Sequence, residues 1–139
     1  MDIDILLKAL DNDSNEQIMK MSLKKIKEMK IMMLKELELD SSILKDYLSK
    51  LTDYQYIDEL NDLKHGAYIR WISLNDPENI YLTHGGIICD IKITDKGIAI
   101  VCKNFANKHF YLKPDELMIF QKLSKQEQVL LAALDYLDS

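Results

Sequence analysis

Ile87-Ile88-Cys89-Asp90-Ile91-Lys92-Ile93-Thr94-Asp95-Lys96-Gly97-Ile98-Ala99-Ile100-Val101-Cys102-Lys103 is the stretch that decides the fold. Apolar residues recur at positions 87, 89, 91 and 93, and again at 98, 100 and 102. That period of two belongs to strands with one buried face. Asp95-Lys96-Gly97 between them reads as a hairpin turn whose glycine can take positive φ. Matching the apolar faces pairs Ile93 with Ile98, Ile91 with Ile100 and Cys89 with Cys102, a register that a glycine bulge at the turn permits.

The β pattern continues on both sides of this hairpin. Residues 67–74 (Ala-Tyr-Ile-Arg-Trp-Ile-Ser-Leu) are aromatic and β-branched, and Asn75-Asp76-Pro77-Glu78-Asn79 ends them as a turn. Ile80-Tyr81-Leu82-Thr83 reads as a short strand broken at His84-Gly85-Gly86. Residues 109–113 form another strand, Pro114-Asp115-Glu116 a tight corner, and residues 117–122 a last strand. Short strands joined by tight turns suit a small closed barrel, which hides its edges. The corner before the final strand favours an SH3-like barrel over an OB fold.

Helical signals flank the β region. Ser14-Asn15-Glu16-Gln17, Thr52-Asp53-Tyr54-Gln55 and Ser124-Lys125-Gln126-Glu127 each place a hydroxyl three residues before Glu or Gln, the spacing of a capping box. A long helix is expected at 15–39. Its stripe Met19, Leu23, Ile26, Lys30, Met33, Leu37 steps by four and three like a heptad seam, with Lys30 a polar intruder. Shorter helices are expected at 3–10, 42–51 and 53–64, the last stopped by Gly66 with His65 in its final turn, and a closing helix at 125–137. The fold class is therefore α+β: a helical arm over 1–65, then a small SH3-like β-barrel with its closing helix over 66–139.

The chain has 139 residues, 47% hydrophobic and 29% charged, enough for one domain with a buried core. No apolar run approaches the ~18–20 residues of a membrane span. Met1-Asp2-Ile3-Asp4 carries acids where a secretory signal carries basic residues, so an intracellular setting is expected. Cys89 and Cys102 read as small core side chains rather than a disulfide framework. The net charge of −5 disfavours nonspecific nucleic-acid binding. Even so, Lys20, Lys24, Lys25, Lys27, Lys30 and Lys35 against Glu28 make one basic block.

No residue pattern nominates an enzyme. His65, His84 and His109 show no ligand spacing with each other or with the cysteines, so no metal is expected. No nucleophile elbow or converging titratable set is present, and no cofactor site is read. His84-Gly85-Gly86 opens no helix and reads as a turn or bulge. Two binding surfaces remain. The seam residues Met19, Leu23, Ile26, Met33 and Leu37 need a covering surface, either a second copy or the rest of the chain. Tyr68, Arg70, Trp71, Tyr81, Phe105, Lys108 and Tyr111 could form a partner-binding set on the strands, although aromatic rings also dominate small cores.

Three segments carry a resemblance: Gly66-Ala67-Tyr68-Ile69-Arg70-Trp71-Ile72, Gly85-Gly86-Ile87-Ile88 and Met118-Ile119-Phe120-Gln121-Lys122. Together, over about residues 64–123, they resemble a group of uncharacterised small β-domain proteins of nucleocytoplasmic large DNA viruses. Trp71 and Gln121 stand where that pattern has tyrosines. The resemblance implies a viral setting, in host cytoplasm or virion, and no activity. The functional expectation is thus a non-enzymatic assembly or scaffold protein. It would oligomerise or dock through its first long helix and bind another, viral, protein through its barrel. The alternative is a nucleic-acid-binding module using the basic helix block and the basic, aromatic stretch 96–113.

Overall fold

A computed structural model describes residues 3–138. Met1 and Asp2, used above in reading the N-terminus, lie outside the described residues. The elements run α1 (Ile3–Asp11), a 3-10 turn (Asp13–Asn15), α2 (Glu16–Met19), α3 (Leu23–Lys35), α4 (Ser41–Lys50) and β1 (Tyr54–Ile57). They continue with a 3-10 turn (Leu60–Asp62), β2 (Tyr68–Ser73), β3 (Gly86–Thr94), β4 (Gly97–Lys103) and β5 (His109–Leu112). A 3-10 turn (Pro114–Glu116), β6 (Leu117–Lys122) and α5 (Lys125–Asp138) complete the chain.

The central hairpin forms as its alternation requires. Ile93 faces Ile98 and Ile91 faces Ile100, with Gly97 at φ +110° closing the turn. The register then shifts between Ile88 and Asp90, so Ile88, not Cys89, faces Cys102. The expected pairing of the two cysteines is corrected by this bulge. One extra residue flips the strand's phase and turns Ile88 into the core, where it and Cys102 are fully buried.

Six strands make one antiparallel sheet in the order β1-β6-β2-β3-β4-β5. The ladder does not close, because β1 and β5 are its two free ends. The closed SH3-like barrel is therefore corrected to an open sheet. Part of the cause is that Tyr54-Gln55-Tyr56-Ile57, expected in a helix over 53–64, is instead β1, paired with β6 from Tyr54↔Lys122 to Ile57↔Ile119. The helical spacing of Tyr56, Ile57, Leu60 and Leu63 was real but coincidental. Aromatic and β-branched residues offered an open strand edge take the ladder. The boundary drawn at 65/66 is accordingly crossed by a strand pairing. The expected strand at 80–83 shrinks to a single bridge, Ile72↔Leu82.

Each face of the sheet carries its own core. On one, Tyr54, Ile72, Met118 and Phe120 pack with Leu34 of α3 and with Tyr47 and Leu51 of the α4 end. On the other, Ile57, Ile69, Trp71, Ile88, Ile100, Cys102 and Ile119 meet Leu63 without any helix residue in the cluster. Side chains from β1, β2, β3, β4 and β6 reach one cluster only if the sheet curls strongly around them, as twisted sheets do. A third cluster, with Ile18, Ile26, Leu123, Leu130 and Leu131, joins α2, α3 and α5.

The long helix expected at 15–39 is interrupted. Asn12, not Ser14, caps the first turn by accepting from the Ser14 amide, and the chain breaks at 20–22. Ser22 then starts α3 by accepting from the Lys25 amide at 3.1 Å. Thr52 caps nothing ahead of it; its hydroxyl donates back to the Ser49 carbonyl. Only the Ser124 box forms in full, with Ser124 N donating to Glu127 Oε1 (2.9 Å) and Glu127 N donating to Ser124 Oγ (3.1 Å). Lys30, the intruder in the stripe, is buried and donates to the carbonyls of Leu51 (2.8 Å) and Thr52 (3.3 Å) past the α4 end. Burial lowers its pKa, partly offset by Asp53.

Two glutamines face each other across β1 and β6, Gln55↔Gln121. Gln121 is satisfied: Oε1 accepts from Lys64 N (2.8 Å) and Nε2 donates to Asp62 O (3.0 Å), clamping the 60–64 turn to the sheet. Gln121 thus has a structural job at a position where the resemblance has tyrosine. Gln55 Nε2 is buried with no partner. An orphaned buried amide costs about 1–3 kcal/mol. Gln55→Leu should therefore stabilise the protein by about 1 kcal/mol, read as a higher urea midpoint at unchanged slope. A lowered midpoint would show that this amide contributes to stability.

Candidate functional site

Near the ends of β3 and β4, two loops stand beside each other. One is residues 80–85, which follow β2 backward; the other is residues 104–108, between β4 and β5. Between them lies a groove of about 670 Å³. Its aromatic lining is Tyr68, Trp71, Tyr81, Phe105 and Phe110, and no Asp or Glu lines it.

The first loop is held by β2 at successive positions. Thr83 N donates to Trp71 O (3.0 Å), Trp71 N to Thr83 Oγ1 (3.2 Å), and Arg70 Nε to Thr83 O (2.8 Å). The Tyr68 hydroxyl donates to His84 O at 2.5 Å. Gly85, at φ +88°, sits so close to β2 that a Cβ there would lie 2.0 Å from Ile69 O. Only glycine permits that approach. Arg70, expected in the partner-binding set, is a brace for this wall.

The second loop is a turn organised by Asn104. Its Oδ1 accepts from Ala106 N (2.9 Å) and Lys108 N (3.0 Å), its backbone N–H donates to Lys108 O, and Asn107 takes φ +59°. Phe105 on this pinned turn is 91% exposed, with its ring 6.1 Å from that of Tyr68. Tyr81 opposite is 60% exposed. Trp71 is the floor, buried and edge-on to Phe110 at 6.2 Å. Lys108 Nζ lies 5.4 Å from the Phe110 ring centre at the rim.

Of the seven expected partner-binding residues, Tyr68, Trp71, Tyr81 and Phe105 line the groove, Arg70 braces it and Lys108 rims it. Tyr111 does not take part. It follows Phe110 in β5, so strand alternation turns it to the other face, where Lys92 Nζ lies 5.8 Å from its ring centre. Phe110, Leu112, His84 and Asn104 join the lining although none of them belongs to the expected partner-binding set. The phase of β5 would have separated Phe110 from Tyr111, but only once its register with β4 was known.

The docking seam fares differently. Ile26 is buried, and Met33 and Leu37 are half-buried against the sheet-and-helix core of their own chain. Met19 and Leu23 stay exposed. The seam's inner part is thus covered from within the chain.

Cys102 is buried and its thiol is pushed up to about 12, by burial first and by Cys89 second, so it carries no thiolate at neutral pH. Both cysteines are free. Among the described residues no group of three His, Cys, Asp or Glu is placed to hold a metal ion, and no helix is long and apolar enough to cross a membrane.

Comparison with protein-family models, with curated proteins and with solved structures finds no match to the chain.

Proposed function

We propose that the chain is a non-catalytic docking module that binds a segment of another protein in its aromatic groove. The observation that carries this reading is Phe105: a large ring held in solvent by an Asn104-pinned turn, beside four other rings, with no carboxylate in the lining. A rigid exposed aromatic loses little freedom on binding, so its contact area converts efficiently into affinity. The strand order β6-β2-β3-β4-β5, with a 3-10 turn at Pro114–Glu116 before β6, supports an SH3-like arrangement carrying β1 as an addition. Folds of that kind use aromatic grooves for extended peptides. On the resemblance to proteins of large DNA viruses, the partner would be another viral protein and the role one in assembly.

The test starts from dodecapeptides selected against the full chain from a random display library. Phe105→Ser with Tyr81→Ser should weaken the selected peptides about tenfold or more, the loss of two buried rings, while the melting temperature stays put because both rings are already exposed. Peptides that bind the double variant unchanged would refute the groove. So would failure to select any, and binding of single-stranded oligonucleotides at low salt would put the nucleic-acid alternative in its place.

A further inference from the structure

The groove has one wall that is also a free sheet edge. β5 ends the strand order, so one side of its backbone has no neighbouring strand. Among the described residues, no loop backbone or side chain makes a hydrogen bond to the backbone of residues 109–112. Phe110 and Leu112 of this strand line the groove, while His109 and Tyr111 point the other way. A strand laid along β5 would place every second side chain next to Phe110 and Leu112, that is, into the groove.

Charge narrows the occupant. Lys108 and Lys113 bracket β5, His109 is exposed on it, and Lys92 lies over Tyr111 on the outer face. A second copy of this chain is a poor fit, because the antiparallel register that pairs all four β5 residues sets Lys108 opposite Lys113 of the copy. Like charges directly opposed destabilise a ladder. An incoming strand with carboxylates on the outer face meets the lysines favourably instead. The lysines and Pro114 also guard the edge against indiscriminate pairing.

We infer that β5 accepts an extended partner segment as a seventh strand, with apolar residues alternating with Asp or Glu. The apolar set would enter the groove and the acids would face His109, Lys92 and Lys113. The inference rests on the groove reading and adds the mode of binding and the partner's chemistry to it.

The experiment uses the peptides selected against the full chain. They should share an apolar–acidic alternation. Methylating the backbone nitrogen of the tightest one, residue by residue, should weaken binding about tenfold at alternate positions and leave the others unchanged, the mark of ladder hydrogen bonds. Amide exchange at residues 109–112 should slow in the complex. Peptides that require Phe105 yet tolerate methylation everywhere, with no slowing at 109–112, would overturn strand addition and leave the groove standing. Peptides that slow exchange at 109–112 but ignore Phe105→Ser would leave the edge standing and remove the groove. Selected peptides rich in Lys and Arg would overturn the acidic partner.

Discussion

Gly85→Ala should destabilise the protein by about 4 kcal/mol or more, a large part of the roughly 5–15 kcal/mol that holds an ordinary domain together. The added methyl would sit 2.0 Å from the Ile69 carbonyl oxygen and 3.0 Å from the Arg70 side chain. Two independent costs meet here. The φ of +88° is unfavourable for any side chain, and the near atom is backbone inside a strand rather than the tip of a flexible residue. Neither partner can retreat cheaply. Ile69 is fully buried and paired to Gly86 and Gln121, while residues 82–84 are tied to β2 by the Thr83 and His84 bonds. The chain must therefore release the 80–85 loop, and with it one wall of the groove.

Gly97→Ala is the control. Gly97 also has positive φ, but nothing lies within 4 Å of its Cβ position, so only the backbone term applies, about 1–2 kcal/mol. Urea denaturation of both variants separates steric from conformational cost. Equal losses would mean that the close approach at Gly85 relaxes without penalty.

The same glycine shows where the sequence was legible and where it was not. His84-Gly85-Gly86 reads as a turn or bulge, but Gly86 is already paired in β3, and the importance of Gly85 comes from Ile69, on a strand sixteen residues earlier. Features encoded within a few residues came through: the 87–103 hairpin, α4 and the Ser124 box, all set by local periodicity or hydrogen bonding. Features decided between distant segments did not. Tyr54-Gln55-Tyr56-Ile57 carries both a helical and a strand pattern, and the open edge of β6 chose between them. The bulge at Cys89 is settled by which isoleucine the core accepts, not by a turn residue. The aromatic set was visible as composition, but separating Phe110 from Tyr111 required the phase of β5. Lys30 looked like a seam polar residue because its real partners, the carbonyls of Leu51 and Thr52, are 21 and 22 residues away in the chain.

Lys64→Met should cost about 2–3 kcal/mol, and Glu127→Gln in addition should restore much of it. Glu127 belongs to the Ser124 capping box through Oε1, while its buried Oε2 lacks a hydrogen bond of good geometry. Its counter-charge is Lys64 Nζ at 3.3 Å. These two facts agree once the contact is read as a Coulombic pair rather than a directed bond. The carboxylate is 1% exposed and the lysine 28%, so water reaches only one partner. Removing the lysine leaves a carboxylate out of water without compensation, which costs about 3–5 kcal/mol in fully buried pairs and less here because the lysine is partly solvated. Asn15 ties the same region together, donating to Ala9 O (3.0 Å) and Gln126 Oε1 (3.1 Å) and accepting weakly from Lys64, so the loss is felt where α1, α5 and the 63–66 turn meet. Glu127→Gln removes the stranded charge while its amide oxygen still accepts from Ser124 N, leaving the cap in place. The double variant should accordingly be more stable than Lys64→Met alone, a non-additivity of at least about 1 kcal/mol in a double-mutant cycle of urea midpoints. Strictly additive losses would show that the two groups do not feel each other's charge.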